Sequence, residues 1–393
     1  MILLQTRFSI VSMAAASALL YACGGGVDDT STVSAGVLPI QTAAAPGSYL
    51  TAGLAEALDY LNRERLRCGL GALKQNAMLD EAAKNHALYV SSRSNFGDPH
   101  WETPGEPGFT GITPTDRAQA VGYAAPSGEV LEVGVLPWME RDGVHGSYLT
   151  MEDFPLHAIR SDLAAPYHGM ALISSAVDIG LALEGRNDMV NGYQTVIMSF
   201  FATLGRGDST LGQVPNEPTV RTFPCEGTEG LQPALFGEWL PTGPIFPDRH
   251  PNTHPTGHPI YVVGEHGTHL TIDSAVITRV SNGHNIPIFE IRTQGTDTVH
   301  GSLYREPWVG FIFPDVPFVP FQSYRVRVEG KSDAKPFLKE FTFTPGQYGH
   351  YDEGIVRPLV SQPDKLLREQ RPSVTPSMGA CFCLGCSTSS RPC

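Results

Sequence analysis

Two hydrophobic periods divide the chain, and their order restricts the fold more than any other feature. From Leu54 to Leu66 apolar residues fall at Leu54, Ala57, Leu58, Leu61 and Leu66, with Glu56, Arg63, Glu64 and Arg65 between them. That spacing predicts an amphipathic helix ending near Gly69. A second stripe of Leu79, Ala82, Ala83, His86, Ala87 and Val90 predicts another over Asn76–Ser91 and makes His86 a packed core residue. After Ala176 the period drops to two. Val177, Ile179, Leu181 and Leu183 alternate, a turn rich in Asn187, Asp188, Asn191 and Gly192 follows, and "YQTVIMSFF" returns, which predicts a hairpin. Helices first and antiparallel strands last imply an α+β unit rather than a doubly wound parallel sheet.

Pro215, Pro218, Pro224 and Pro233 then predict a linker. Within it "DRHPNTHPTGHP" sets His250, His254 and His258 at helical spacing, but Pro251, Pro255 and Pro259 forbid a helix, so the stretch reads as solvated linker rather than metal site. Short β-rich runs follow: "IYVV", "LTIDSAVITRV", "IFEIRT", "VGFIF", "YRVRVEG" and "FLKEFTFTPG". Tyr324, Val326 and Val328 alternate with Arg325, Arg327 and Glu329, so one face is buried and one wet, the pattern of a β-sandwich. Hydrophobic content of 41% against 17% charged residues is enough for real cores. A net charge of −13 argues against nucleic acid or an anionic membrane surface as partner.

The N-terminus has the layout of an export signal: Arg7, an apolar run from Phe8 to Leu20, then no charge until Asp28. At about 13 residues the run is shorter than the roughly 20 a membrane-spanning helix needs. Leu20, Tyr21, Ala22 and Cys23 resemble the lipobox of bacterial lipoproteins, which implies a diacylglyceryl group on Cys23 and a palmitate-bearing anchor in a bacterial cell envelope. With Cys23 acylated, six of the seven cysteines remain. That even number lets Cys68 pair with Cys225 while Cys381, Cys383, Cys386 and Cys393 pair among themselves, with three connectivities open to the tail. The tail spacing is tighter than that of ordinary zinc knuckles, so disulfides or intermolecular bonds are preferred there to zinc.

Five segments in order, "LNRERLRCGLGALKQNAMLDEAAKNHA", "DPHWETPGEPGFTGITPTDRAQAVGY", "SGEVLEVG", "PLHAIRSDL" and "AVDIGLAL", resemble the CAP superfamily of cysteine-rich secretory, antigen 5 and pathogenesis-related proteins and its bacterial branch. The resemblance implies an α-β-α sandwich. The later strands resemble the immunoglobulin-like domains that follow CAP domains in bacterial surface proteins. The chain then divides into a signal (1–22), a tether (23–49), a CAP domain (50–206), a Pro/His-rich linker (207–255), an immunoglobulin-like sandwich (256–346) and a Cys-containing tail (347–393).

The family's cleft is lined by two histidines and acidic residues. Segment by segment this implies His100, Glu129 and His157 here, an open three-ligand set suited to a divalent ion such as zinc or calcium. "GEV" stands where the family has "GEN", Arg160 is displaced from the family's arginine position, and Glu102, Glu132 and Glu140 all compete as a second acidic group. Neither a G-x-S-x-G elbow, an H-E-x-x-H helix, a P-loop nor a dinucleotide fingerprint is present. The expected role is therefore binding of a lipid, glycan, ion or protein. A metal-dependent hydrolase and a structural surface protein are the alternatives.

Overall fold

The computed structural model describes residues 38–347 except 46, 50, 94–97, 138, 142–143, 147–148, 191–192, 210, 215–218, 236–237, 241–242, 247, 250–253 and 298–305. The signal, Cys23, His250 and the four tail cysteines lie outside these residues.

Helix α1 (Ala52–Arg67) buries Ala57, Leu58 and Leu61. It stops where Gly69 and Gly71 turn the chain at φ of 70° and 78°, values that favour glycine. The buried Arg65 holds this corner, donating to the carbonyls of Gly71, Leu70, Leu172 and Ser174 at 2.8, 3.2, 2.5 and 3.0 Å. After the short strand β1 (Lys74–Gln75), α2 (Ala77–Ser91) starts at Asn76, whose side-chain oxygen accepts from the Met78 and Leu79 N–H groups. Helix α3 (Pro114–Ala120) begins with a reciprocal Thr113/Asp116 capping box. Strand β2 (Pro126–Pro137), helices α4 (Phe154–Ala164) and α5 (Pro166–Leu172), and the hairpin β3 (Asp178–Val190) and β4 (Tyr193–Gly205) follow.

The sheet order is β1-β3-β4-β2, antiparallel except for the β1–β3 pair, so β2 is an edge strand. Strand alternation gives the two faces different neighbours. Leu131, Ala182 and Phe201 pack under Ala83, Ala87 and Val90 of α2. Val130, Leu181 and Phe200 belong instead to the core shared with α1 and α4. The α2 helix lies so close that a Cβ at Gly180 would sit 2.0 Å from the Leu79 carbonyl carbon.

The two larger sheets of the second half are built from β5 (Arg221–Phe223), β6 (Thr228–Leu231), β7 (Ile260–Val263), β8 (Leu270–Arg279), β9 (Asn285–Ile286), β10 (Ile288–Thr293), β11 (Val309–Pro314), β12 (Tyr324–Ser332) and β13 (Lys335–Pro345). They form a four-stranded sheet, β10-β11-β7-β5, and a five-stranded one, β6-β13-β12-β8-β9. Tyr324, Val326 and Val328 are buried and Arg325 and Arg327 exposed, as alternation requires.

Two bodies joined by a solvated linker are not what forms. All described residues belong to one compact unit, and a single core runs from Leu58 and Phe154 through Tyr261 to Phe311 and Phe343. Phe311 meets Tyr167 of α5 at a ring separation of 5.6 Å. His258, expected in water, is fully buried beside Phe223 and Tyr261, with Nδ1 2.7 Å from the Pro259 carbonyl oxygen. Hydrophobic strands on both sides draw Thr256–Pro259 into the seam, while His254 stays exposed. The tether is also shorter than expected, because Leu38–Pro39 pairs in parallel with Gln213–Val214 and Tyr49 donates to Asp80 at 2.9 Å. Cys68 and Cys225 form a disulfide between the end of α1 and the β5–β6 connection.

Candidate site around His100, Glu129 and His168

Glu129 sits on edge strand β2, opposite Thr203, with its side chain 1% exposed. Such a carboxylate is costly unless charges face it. Arg117 of α3 places Nη2 2.9 Å from both of its oxygens and also donates to the His100 carbonyl at 3.1 Å. His100 Nδ1 lies 3.2 Å from Glu129 Oε1, and His86 Nε2 lies 3.8 Å from the same oxygen. Burial alone would raise the Glu129 carboxyl, but the charges of His86 and Arg117 and the His100 hydrogen bond hold it down at about 2.

His86 is core, as its stripe implies, yet it belongs to this network. Its Nδ1 faces Glu102 Oε1 at 2.8 Å and its Nε2 faces the Pro99 carbonyl at 2.8 Å. Glu102 also accepts from the Thr110 and Gly111 N–H groups at 2.5 and 3.2 Å. It thus fastens the loop that carries His100, whose side chain remains 26% exposed.

The histidine whose ring faces His100 is His168, at 5.8 Å, rather than the expected His157. His157 lies on α4, buried, with its ring 6.0 Å from Phe154. Pro155-Leu156-His157 and Pro166-Tyr167-His168 repeat one Pro-x-His pattern, and only the α4–α5 corner decides which copy reaches the cleft. Arg160 points away, donating to the carbonyls of Gly230 and Gln347 at 3.0 and 2.9 Å.

His168 Nδ1 lies 3.3 Å from Glu238 Oε1 and 3.7 Å from Asp162 Oδ1. Burial, reinforced by the charge of His100, lowers its pKa to about 3, so the ring is neutral. Beneath it are three carboxyl groups. Burial pushes Glu132 and Glu238 up to about 7. Burial and the charges of Glu132 and Glu238 push Asp162 well above the usual carboxylate range, and its Oδ2 is buried with no hydrogen-bond partner among the described residues. Glu132 faces the α4 side of the sheet while Glu129 faces the α2 side, which separates their roles by strand parity.

The expected three-ligand metal set is not assembled. Arg117 holds both Glu129 oxygens, and among the described residues no three His, Cys, Asp or Glu side chains converge to hold an ion. A cavity of about 420 Å³ lies at the seam, lined by Ser175, Arg221, His266 and Glu306, and another of about 660 Å³ by Phe246, Arg249, Phe289 and Arg292. Neither is lined by His100 or His168.

Arg117→Ala is expected to cost about 3 kcal/mol or more, because it leaves the Glu129 charge buried without its guanidinium. Arg117→Met combined with Glu129→Gln should recover much of that loss. Urea unfolding of the three proteins tests this, and a cost for Arg117→Ala below ~1 kcal/mol would contradict the ionic account.

No protein-family model matches the chain, and no characterised protein is significantly similar to it.

Proposed function

We propose that this is an exported surface protein, anchored by a lipid on Cys23, whose CAP-like cleft at His100, Glu129 and His168 binds a lipid, glycan, ion or protein ligand. The observation that carries this reading is the partly exposed His100 imidazole seated 3.2 Å from the buried, ionised Glu129. A perturbed carboxylate behind an accessible imidazole is the signature of a functional site more than of a packed core. The CAP-like assignment is supported by the antiparallel sheet between α2 on one face and α1 with α4 on the other. The immunoglobulin-like assignment is supported by the two facing sheets of the second half.

The Cys23→Ser chain, with and without His100→Ala, is titrated calorimetrically against sterol and phospholipid vesicles, soluble glycans, zinc and calcium. At least one should bind, about tenfold more weakly to the His100→Ala protein, the equivalent of one lost hydrogen bond. No binder in the panel, or equal binding by both proteins, sinks the reading. Palmitate labelling that persists in Cys23→Ser removes the anchor.

The His100–Glu129 pair also favours a hydrolase as second reading, since a carboxylate-oriented imidazole is half of a general-base apparatus. Turnover of an ester or peptide panel that disappears in His100→Ala would replace binding with catalysis.

A further inference from the structure

The cavity of about 420 Å³ opens where the two halves of the chain meet. Ser175 and Gln213 reach it from the first half, and Arg221, Glu265, His266 and Glu306 from the second. Junctions of this kind favour small-molecule sites. Several of its polar groups are engaged within the protein. Gln213 donates to the Ala72 and Ala176 carbonyls at 2.9 and 2.6 Å and accepts from the Gln41 N–H at 2.9 Å. Glu265 pairs with Lys335 at 3.0 Å.

Glu306 differs. It is 3% exposed, and its Oε1 accepts from the Ser175 N–H at 2.7 Å, while its Oε2 accepts no hydrogen bond among the described residues. Arg65 feels its charge from behind the wall, but donates to the carbonyls of Gly71, Leu70, Leu172 and Ser174 instead. A buried carboxylate oxygen without a donor is costly, and the cavity is where a donor can enter. The wall also carries the guanidinium of Arg221, which donates Nη1 to the Thr219 carbonyl at 3.0 Å. Burial lowers His266 against the pull of Glu306, with the charge of Arg206 assisting, so that imidazole is neutral at pH 7. With Glu265 balanced by Lys335, the wall presents one carboxylate and one guanidinium. A simple cation or anion would match one and be repelled by the other, whereas a zwitterion is complementary to both.

We propose that this cavity binds a small zwitterion of the α-amino acid class, with its ammonium on Glu306 and its carboxylate on Arg221. The site is separate from the cleft at His100, so its failure would leave the reading of that cleft untouched.

Glycine, serine and leucine, each with its decarboxylated and its deaminated counterpart, are titrated calorimetrically into the Cys23→Ser chain. At least one amino acid should bind, and both of its counterparts about tenfold more weakly, the equivalent of one charge-assisted hydrogen bond. Glu306→Gln keeps an acceptor for the Ser175 N–H and should weaken that amino acid about tenfold, as should Arg221→Gln. Glu340→Gln, an exposed carboxylate of β13, should leave its affinity unchanged. Binding of none of the three amino acids overturns the proposal without any variant, which covers variants that do not fold. A counterpart that binds as tightly as its amino acid reduces the cavity to a site for a simple ion, and unchanged affinity in a folded Glu306→Gln protein puts the ligand elsewhere. Either result overturns it equally.

Discussion

Raising the pH from about 5 to about 8 lowers the melting temperature of this protein, and Asp162→Asn flattens the decline. The cause is the group of Glu132, Asp162 and Glu238 beneath α5. Burial raises Glu132 and Glu238 to about 7, and burial with their charges raises Asp162 further. The unfolded chain releases these protons near pH 4, so between there and neutrality the folded chain holds more protons. Stability they contribute at acid pH is lost as the pH climbs through 7. His168 and His258 act oppositely. Burial lowers them to about 3 and about 4, so their contribution is present above pH ~6.5 and lost as the pH falls. Burial also raises Glu64, Asp80 and Asp178, which add to the decline, and lowers His266, which opposes it, so between pH ~4.5 and ~6.5 six carboxyls outweigh three imidazoles, and above ~6.5 only the carboxyls act. The decline is therefore steepest near neutrality. Each tenfold difference in proton affinity between the folded and unfolded chain is worth about 1.4 kcal/mol, so the window spans several kcal/mol. Asp162→Asn removes one titrating group whose Oδ2 has no partner among the described residues, and should be the more stable protein at pH 8. A melting temperature flat or rising over this range, or a wild-type slope in Asp162→Asn, counts against the assignment.

Loss of the Cys68–Cys225 disulfide has an effect of similar size. The bond closes a loop with a sequence separation of 157 residues. Cross-linking across such a loop restricts the unfolded chain by about 5 kcal/mol. It also joins the end of α1 to the β5–β6 connection, so its loss loosens the seam that presents Glu238 to His168. Cys68→Ala with Cys225→Ala should lower the urea midpoint accordingly, and added reductant should destabilise the wild type but not the variant. A loss below ~1 kcal/mol would mean that burial along the seam alone fixes the two halves.

Local order was legible in the residues. The periodic stripe over 54–66 becomes α1, Asn76 caps α2, and alternation around Val177 becomes the β3–β4 hairpin. Of the expected cleft residues, His100 and Glu129 meet. His168 was obscured because the Pro-x-His pattern occurs twice and nothing within either copy says which faces the sheet edge. Arg117 carried a faint signal as the one cation of "TPTDRAQAVGY", but its partner lies 12 residues away on another element.

By itself the sequence determined the α+β class, the helices and hairpin, and an acidic surface, because periodicity, caps and charge are properties of neighbouring residues. Tertiary structure decided that the two halves share one core, that His258 is buried, that His168 rather than His157 faces His100, and that Glu238 reaches the cleft. These depend on contacts between residues far apart in the chain, such as His168 with Glu238 at 70 positions, and on the low dielectric that burial creates around them. No local pattern encodes either.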